Sequence, residues 1–227
     1  MKRAIIIMAK APLAGTVKTR LQTRLSADEC AQLAACFLAD TVNKAKILKT
    51  QLILAYSPAE KIDYFRRFAD EKTSFIRQTG DNLGEKMFSA FEFAFAQNTD
   101  AAAVMLGTDS PTFPVDFIEQ AFELLETNSD AVLGKTEDGG FYLIGLQRKP
   151  DAKIFEGVQW SSAKTFEQVR QNILNLNWHL REVPSWYDID EPQDLAQLKN
   201  EFLHNKNAPR RAPQTFEWMT KNINEQR

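Results

Sequence analysis

Apolar and polar positions along the chain alternate between short uninterrupted apolar runs and stripes of helical period. Residues 4–8, Ala-Ile-Ile-Ile-Met, are a continuous apolar run, the pattern of a strand covered on both faces. Residues 51–56, 75–76, 102–106, 131–134 and 141–146 also read as strands, and 178–183 as extended. Ser26, with Glu29 three positions later, carries a capping-box pattern. The helix it opens sets Leu33, Phe37, Leu38, Val42 and Ala45 on one stripe. Further helices are predicted over 59–68, 83–95, 114–126, 162–176 and 192–202, with Pro114 and Pro192 suited to a first turn. On helix 83–95 the stripe Met87, Phe88, Phe91 and Phe95 is an inner face.

This alternation predicts an α/β fold: a three-layer sandwich with a mostly parallel central sheet between helices. Ligands of such sheets bind beyond the carboxyl ends of the strands. The motifs discussed below fall there. Residues 1–203 read as one domain. Residues 204–227 read as a C-terminal tail, with one weakly amphipathic piece, Phe216 to Ile223, able to form a short helix.

A length of 227 residues suits one α/β domain with a sizeable core. The net charge of -2 argues against a protein that binds nucleic acid by neutralising phosphates. No apolar run approaches the roughly 18 residues of a membrane span. The opening Met1-Lys2-Arg3 and its apolar run are too short for a signal peptide and read as the first strand. Cys30 and Cys36 lie six helical residues apart, about 9 Å along the axis, too far for a disulfide. Free thiols are expected, as in a reducing cytoplasm. His179 and His204 stand far from every motif, which leaves little material for a zinc site or a histidine triad.

Four segments carry candidate chemistry, each with a plainer alternative. The loop after the first strand, Lys10 to Leu21, contains Gly15 and the basic residues Lys10, Lys18 and Arg20. It suits phosphate binding through backbone N–H groups and cations, or is a solvated basic loop. It has neither the Walker A spacing nor the dinucleotide fingerprint. Gly107-Thr108-Asp109-Ser110-Pro111 follows the strand at 102–106. Its acid can ligate a hard cation such as Mg²⁺, or serve a turn before a helix. Asp138-Gly139-Gly140 is a hairpin turn or the wall of an acceptor pocket. In Trp186-Tyr187-Asp188-Ile189-Asp190-Glu191-Pro192, Asp188 and Asp190 share one face of an extended segment. Asp190 is a second metal carboxylate or part of a helix start.

Taken in order, the motifs K-A-P-x-x-G-x-V-K-T-R-L, Q-x-G-x-x-L-G-x-x-M, G-x-D-S-P, E-D-G-G-F-Y-L-I-G-L, W-S-S and D-I-D-E-P-x-D-L resemble a bacterial family, DUF2064. Its members are often labelled glycosyltransferases associated with radical-SAM and selenium-related gene sets. The resemblance covers about residues 3–202 and extends to the nucleotide-diphospho-sugar transferase superfamily, with the type-A glycosyltransferase fold. It implies that Lys10, Gly15, Lys18 and Arg20 face nucleotide phosphates, and that Asp109 and Asp190 hold Mg²⁺ or Mn²⁺. It also implies that Asp138, Gly139 and Gly140 line the acceptor pocket. A typical type-A glycosyltransferase carries D-x-D. Here Thr108-Asp109-Ser110 has a single acid, which is closer to the nucleotidyltransferase pattern.

Three functions stand side by side. The first is glycosyl transfer from a nucleotide-sugar to a small molecule, with Asp109, Lys18 and Asp138 as catalytic groups and Asp138 as base. The second is nucleotidyl transfer from a nucleoside triphosphate to a phosphorylated small acceptor, with release of pyrophosphate. The third is nucleotide binding without catalysis. The expected partners are a nucleotide or nucleotide-sugar and a small acceptor in the cytoplasm. Nucleic acid and membrane are not expected, and a homodimer is left open.

Overall fold

The computed structural model describes residues 2–97 and 101–223. Among them, seven strands form one sheet in the order β3-β2-β1-β4-β6-β5-β7. The strands are β1 (Lys2–Lys10), β2 (Gln51–Ser57), β3 (Thr73–Arg77), β4 (Ala101–Leu106), β5 (Ala131–Thr136), β6 (Phe141–Leu146) and β7 (Leu180–Trp186). The helices are α1 (Ala27–Ile47), α2 (Ile62–Arg66), α3 (Leu83–Gln97), α4 (Asp116–Thr127), α5 (Thr165–Asn175), α6 (Pro192–His204), α7 (Ala208–Arg211) and α8 (Pro213–Asn222). Only β6 runs against its neighbours β4 and β5; the other pairings are parallel.

The first apolar run behaves as its pattern dictates. Successive side chains of a strand point to opposite faces. Ile5 and Ile7 pack among Leu38 and Val42 of α1, Phe65 of α2 and Phe122 of α4. Ile6 packs on the other face with Met87 and Phe91 of α3 and Val169 and Ile173 of α5. Helices therefore cover both faces of the sheet, the three-layer arrangement. The capping box forms at α1: Ser26 Oγ accepts from the Glu29 N–H at 3.2 Å, and the Glu29 carboxylate accepts from the Ser26 N–H at 2.7 Å. Such a cap is worth about 1 kcal/mol.

Three helices differ from expectation, α5 in starting at Thr165 rather than 162. The one over 59–68 splits into a 3-10 turn at Ala59–Lys61 and the five-residue α2, with no side-chain cap at either start. Helix α4 begins at Asp116, because the Pro114 and Val115 carbonyls accept tight i+3 bonds from Phe117 and Ile118 at 3.1 and 2.9 Å. The two cysteines are free. Among the described residues no helix is long and apolar enough to cross a membrane.

Beyond α6 the chain folds back as α7 and α8; residues 224–227 of the tail lie outside the described residues. Asp40, on α1, supplies the cap that α8 lacks. Its carboxylate accepts from the Gln214 N–H at 3.0 Å, the Thr215 N–H at 2.8 Å and the Thr215 hydroxyl at 2.7 Å. Trp218 and Met219 of α8 then close a third apolar cluster with Leu21, Phe37, Tyr187 and Ile189. One turn beyond Asp40 on α1, buried Lys44 donates to the Pro111 carbonyl at 2.8 Å and lies 3.6 Å over the Phe113 ring.

Burial pushes the Lys44 ammonium down to about 7, against the pull of Asp40. An unfolded lysine titrates near 10.4. Between these values the unfolded chain binds more protons, so Lys44 makes stability rise with pH through that window. Urea denaturation of the wild type and Lys44→Met at pH 7, 8 and 9 should show the wild type gaining on the variant. The expected gain is on the order of 1 kcal/mol per pH unit. Parallel stability curves would mean that Lys44 stays charged.

Candidate functional site

The sheet order reverses direction at β1, whose neighbours are β2 on one side and β4 on the other. A crevice opens beyond the strand ends at such a switch point. The loops after β1 and β4, the β5–β6 hairpin and the segment after β7 all meet at this edge. In the first loop Gly15 takes φ +75°, a left-handed conformation that strains a residue with a side chain. Lys10 Nζ donates to the Thr16 carbonyl at 2.7 Å, and the Thr16 N–H to that of Leu13 at 3.0 Å.

Lys18 draws these segments together. Its side chain is 6% exposed, and it bridges Asp109 of the β4 loop and Asp190 of the β7 segment. It donates to Asp190 Oδ1 at 2.8 Å and to the Ile189 carbonyl at 2.7 Å. Burial alone would lower the Lys18 pKa, but Asp109 and Asp190 together outweigh it and hold the ammonium above its ordinary value. The Ile189 N–H donates to the Asp109 carbonyl at 2.9 Å, so the backbones of the two acidic segments are joined as well. Asp194, in the first turn of α6, fixes the far side by accepting from the N–H groups of Asp190 and Glu191 at 2.9 and 2.7 Å.

A cavity of about 620 Å³ lies along this edge. It is lined by Met8, Lys10, Ser57, Gln78 and Lys86, by Asp138, Gly140, Trp160, Ser161 and Ser162, and by Lys18, Asp109 and Asp190. Gln78 is pinned by Nε2 donating to the Ala55 carbonyl at 2.8 Å and the Ala9 carbonyl at 3.2 Å. Lys10 and Lys86 have no carboxylate partner among the described residues. Asp138 Oδ1 accepts from the Thr136 hydroxyl at 2.5 Å and the Gly140 N–H at 2.8 Å. Gly139, at φ +92°, leaves no room for a side chain, because a Cβ would sit 2.3 Å from the Ala163 carbonyl oxygen.

The structure thus gathers Lys10, Lys18, Asp109, Asp138, Gly140 and Asp190 around one cavity. Arg20 is elsewhere. It is largely exposed, 3.8 Å from Glu191, beside a second hollow of about 310 Å³ lined by Glu137, Asp138, Asp188 and Asp190. Lys18 faces carboxylates where the sequence suggested phosphates. Asp188 and Asp190 share a face as the extended pattern required, with Ile189 buried between them. Burial, reinforced by Asp138 and Asp190, pushes the Asp188 carboxyl up to about 7. Sequence reasoning missed Gln78, Lys86 and Trp160 as site residues. Gln78 sits in the Q-x-G-x-x-L-G-x-x-M motif, and Lys86 directly precedes its methionine. Trp160 opens W-S-S. For Lys86 the available signal was a basic residue among the inner-face positions of a helix start.

Among the described residues no three His, Cys, Asp or Glu side chains group as a metal cage. Asp109 and Asp190 nonetheless reach one ammonium, so a small cation at that position touches both. This donor set fits Mg²⁺ or Mn²⁺, which bind through one or two carboxylates when substrate phosphates supply further oxygens.

The fold is that of the nucleotide-diphospho-sugar transferases. A candidate nucleotide-diphospho-sugar transferase from Desulfovibrio desulfuricans G20 superposes with a TM-score of 0.88 at 27% identity, over 99% of this chain and 96% of that one. The DUF2064 model, described as an uncharacterized protein conserved in bacteria, matches residues 39–162, more than half of the chain, and the chain belongs to that family. The 4-diphosphocytidyl-2C-methyl-D-erythritol synthase of Anaerococcus prevotii DSM 20548 shares the fold at TM-score 0.58 and 11% identity, over 90% of this chain and 96% of that one. A CMP:2-keto-3-deoxy-manno-octonic acid synthetase, solved with CTP, does so at 0.53 and 11%, over 89% and 99%. No curated protein matches the chain.

Gly139→Ala should cost more than about 2 kcal/mol in chemical denaturation, since the new methyl meets backbone and the φ is left-handed. A loss below about 0.5 kcal/mol would mean that the hairpin tip moves freely from the Ala163 segment.

Proposed function

We propose that the chain is a metal-dependent transferase of a nucleotide-activated donor, a type-A glycosyltransferase acting on a hydroxyl-bearing small molecule. The observation that carries this reading is the convergence of Asp109 and Asp190 on one cation position beside Lys10 and Lys86. The two lysines have no carboxylate partner and line the same cavity. Ammonium groups without a carboxylate partner in a partly enclosed cleft suit a diphosphate. A cavity of about 620 Å³ is within the range of small-molecule sites.

The residues divide the work by position. Lys10 and Lys86 bind phosphate oxygens, and the pinned Gln78 amide offers a fixed polar edge beside them. Asp109 and Asp190 hold the divalent cation, which supplies charge stabilisation to the departing diphosphate. The acceptor lies against Trp160, Ser161, Ser162 and Gly140. There Asp138, with Oδ1 locked by Thr136 and Gly140, has Oδ2 to take a hydroxyl proton. Water exclusion falls to Trp160 and Phe141 along that wall.

A second reading, nucleotidyl transfer to a phosphorylated acceptor, is favoured by the lone acid of Thr108-Asp109-Ser110. Such an acceptor is already anionic and needs no protein base. The cytoplasm is the proposed compartment.

The test is a binding panel of nucleotides and nucleotide-sugars with and without Mg²⁺ or Mn²⁺, followed by product analysis. A metal-dependent thermal shift is expected, with release of nucleoside diphosphate from a nucleotide-sugar. Pyrophosphate from a triphosphate would move the assignment to nucleotidyl transfer. Lys86→Ala should weaken nucleotide binding roughly tenfold, as befits one charge-assisted contact, with unchanged melting of the free protein. No shift with any nucleotide would contradict both readings.

A further inference from the structure

The position that the carboxylates would offer a metal already holds a positive charge. Lys18 Nζ donates to Asp190 Oδ1 at 2.8 Å and bridges to Asp109 Oδ1. A divalent cation bound through both carboxylates sits about 2.1 Å from each oxygen. At that distance it would overlap the ammonium or lie against it, with two positive charges competing for one pair of acids. The Ile189 carbonyl, 2.7 Å from Nζ, is neutral and would not offset that repulsion.

We infer that the Lys18 ammonium and a divalent cation are alternative occupants of one position between Asp109 and Asp190, so that metal binding requires Lys18 to leave. Lys18 lines the main cavity, beside Lys10 and Lys86. A released ammonium therefore joins the wall on which phosphates are proposed to sit. Lys18 then has two roles in sequence: it neutralises the acids while the metal is absent and becomes a phosphate contact once the metal arrives. Phosphates that attract the ammonium free the carboxylates, and metal that takes the carboxylates frees the ammonium. Nucleotide and metal should each raise the other's affinity, as reciprocal coupling demands. The inference rests on the metal-binding part of the proposed function and on none of its donor or acceptor assignments.

The test uses no nucleotide, so its outcome is separate from that of the transferase reading. Mn²⁺ binding is titrated by electron paramagnetic resonance for the wild type, Lys18→Met and Lys18→Arg. Lys18→Met is expected to bind Mn²⁺ at least tenfold more tightly than the wild type, because the competitor is gone. Lys18→Arg, which keeps the charge, is expected not to gain. Equal or weaker binding by Lys18→Met, or no binding by either protein, would overturn the inference. Should Lys18→Met fail to fold, amine acetylation of the wild type, read by mass spectrometry, decides. Lys18 should be protected without Mn²⁺ and labelled at saturating Mn²⁺, with the labelling of surface lysines such as Lys149 unchanged. Protection of Lys18 at saturating Mn²⁺ would overturn the inference.

Discussion

One buried ammonium joins three parts of the chain that are far apart in sequence. Lys18, from the loop after β1, meets Asp109 after β4 and Asp190 after β7. Either carboxylate without this partner would face the other's charge, and Lys18 without them would be a buried cation with only a carbonyl and the Phe37 ring, 5.5 Å away, for company. The cost of losing a partner falls on Lys18, whose side chain is 6% exposed, while Asp109 and Asp190, at 48% and 40%, are screened by water. The surrounding structure is arranged so that these three groups meet. The Ile189 to Asp109 backbone bond, the Asp194 cap and the apolar cluster of Leu21, Phe37, Tyr187 and Ile189 all hold the segments that carry them.

The sheet makes the meeting possible. Strands β1, β4, β5 and β7 all run the same way, since β6 is reversed between β4 and β5. Their carboxyl ends therefore share one edge, and four loops of unrelated sequence become neighbours. The reversal at β6 also places the Asp138–Gly140 hairpin on that edge, which a strictly parallel sheet would not do. Helix α8, fastened through Asp40, closes the apolar cluster beneath Lys18. The described part of the C-terminal segment thus supports the site from behind, and none of its described residues lines the cavity.

Much of this was legible in the sequence. The run at residues 4–8, the Ser26 capping box and the Pro192 helix start report local forces, and local forces decide those elements. The alternation of Asp188, Ile189 and Asp190 put the two acids on one face, and both border the second hollow with Ile189 buried between them. The contacts that the sequence did not show are governed by distant partners. No local pattern says that Lys18 turns toward two acids, because those acids lie 91 and 172 positions away. Arg20, two residues later in a tight 3-10 turn, points into a different hollow, and only the turn geometry separates the two. Lys86 was hidden in the opposite way: it sits among the inner-face residues of α3 and draws meaning only from the cavity that its ammonium borders.

Charge balance ties these features to function. Lys10, Lys18 and Lys86 stand against Asp109, Asp138 and Asp190 around the cleft, so its charges balance, and Lys10 and Lys86, which have no carboxylate partner, are the groups placed to meet an anion. Under the proposed function that anion is a nucleotide diphosphate. The most direct test is a crystal structure with a nucleoside diphosphate and Mn²⁺, using the metal's anomalous signal. The predicted result is diphosphate oxygens within hydrogen-bond reach of Lys10 and Lys86, and an anomalous peak between Asp109 and Asp190. A nucleotide bound away from this edge, or a cleft that stays free of nucleotide at saturating concentration, would contradict it.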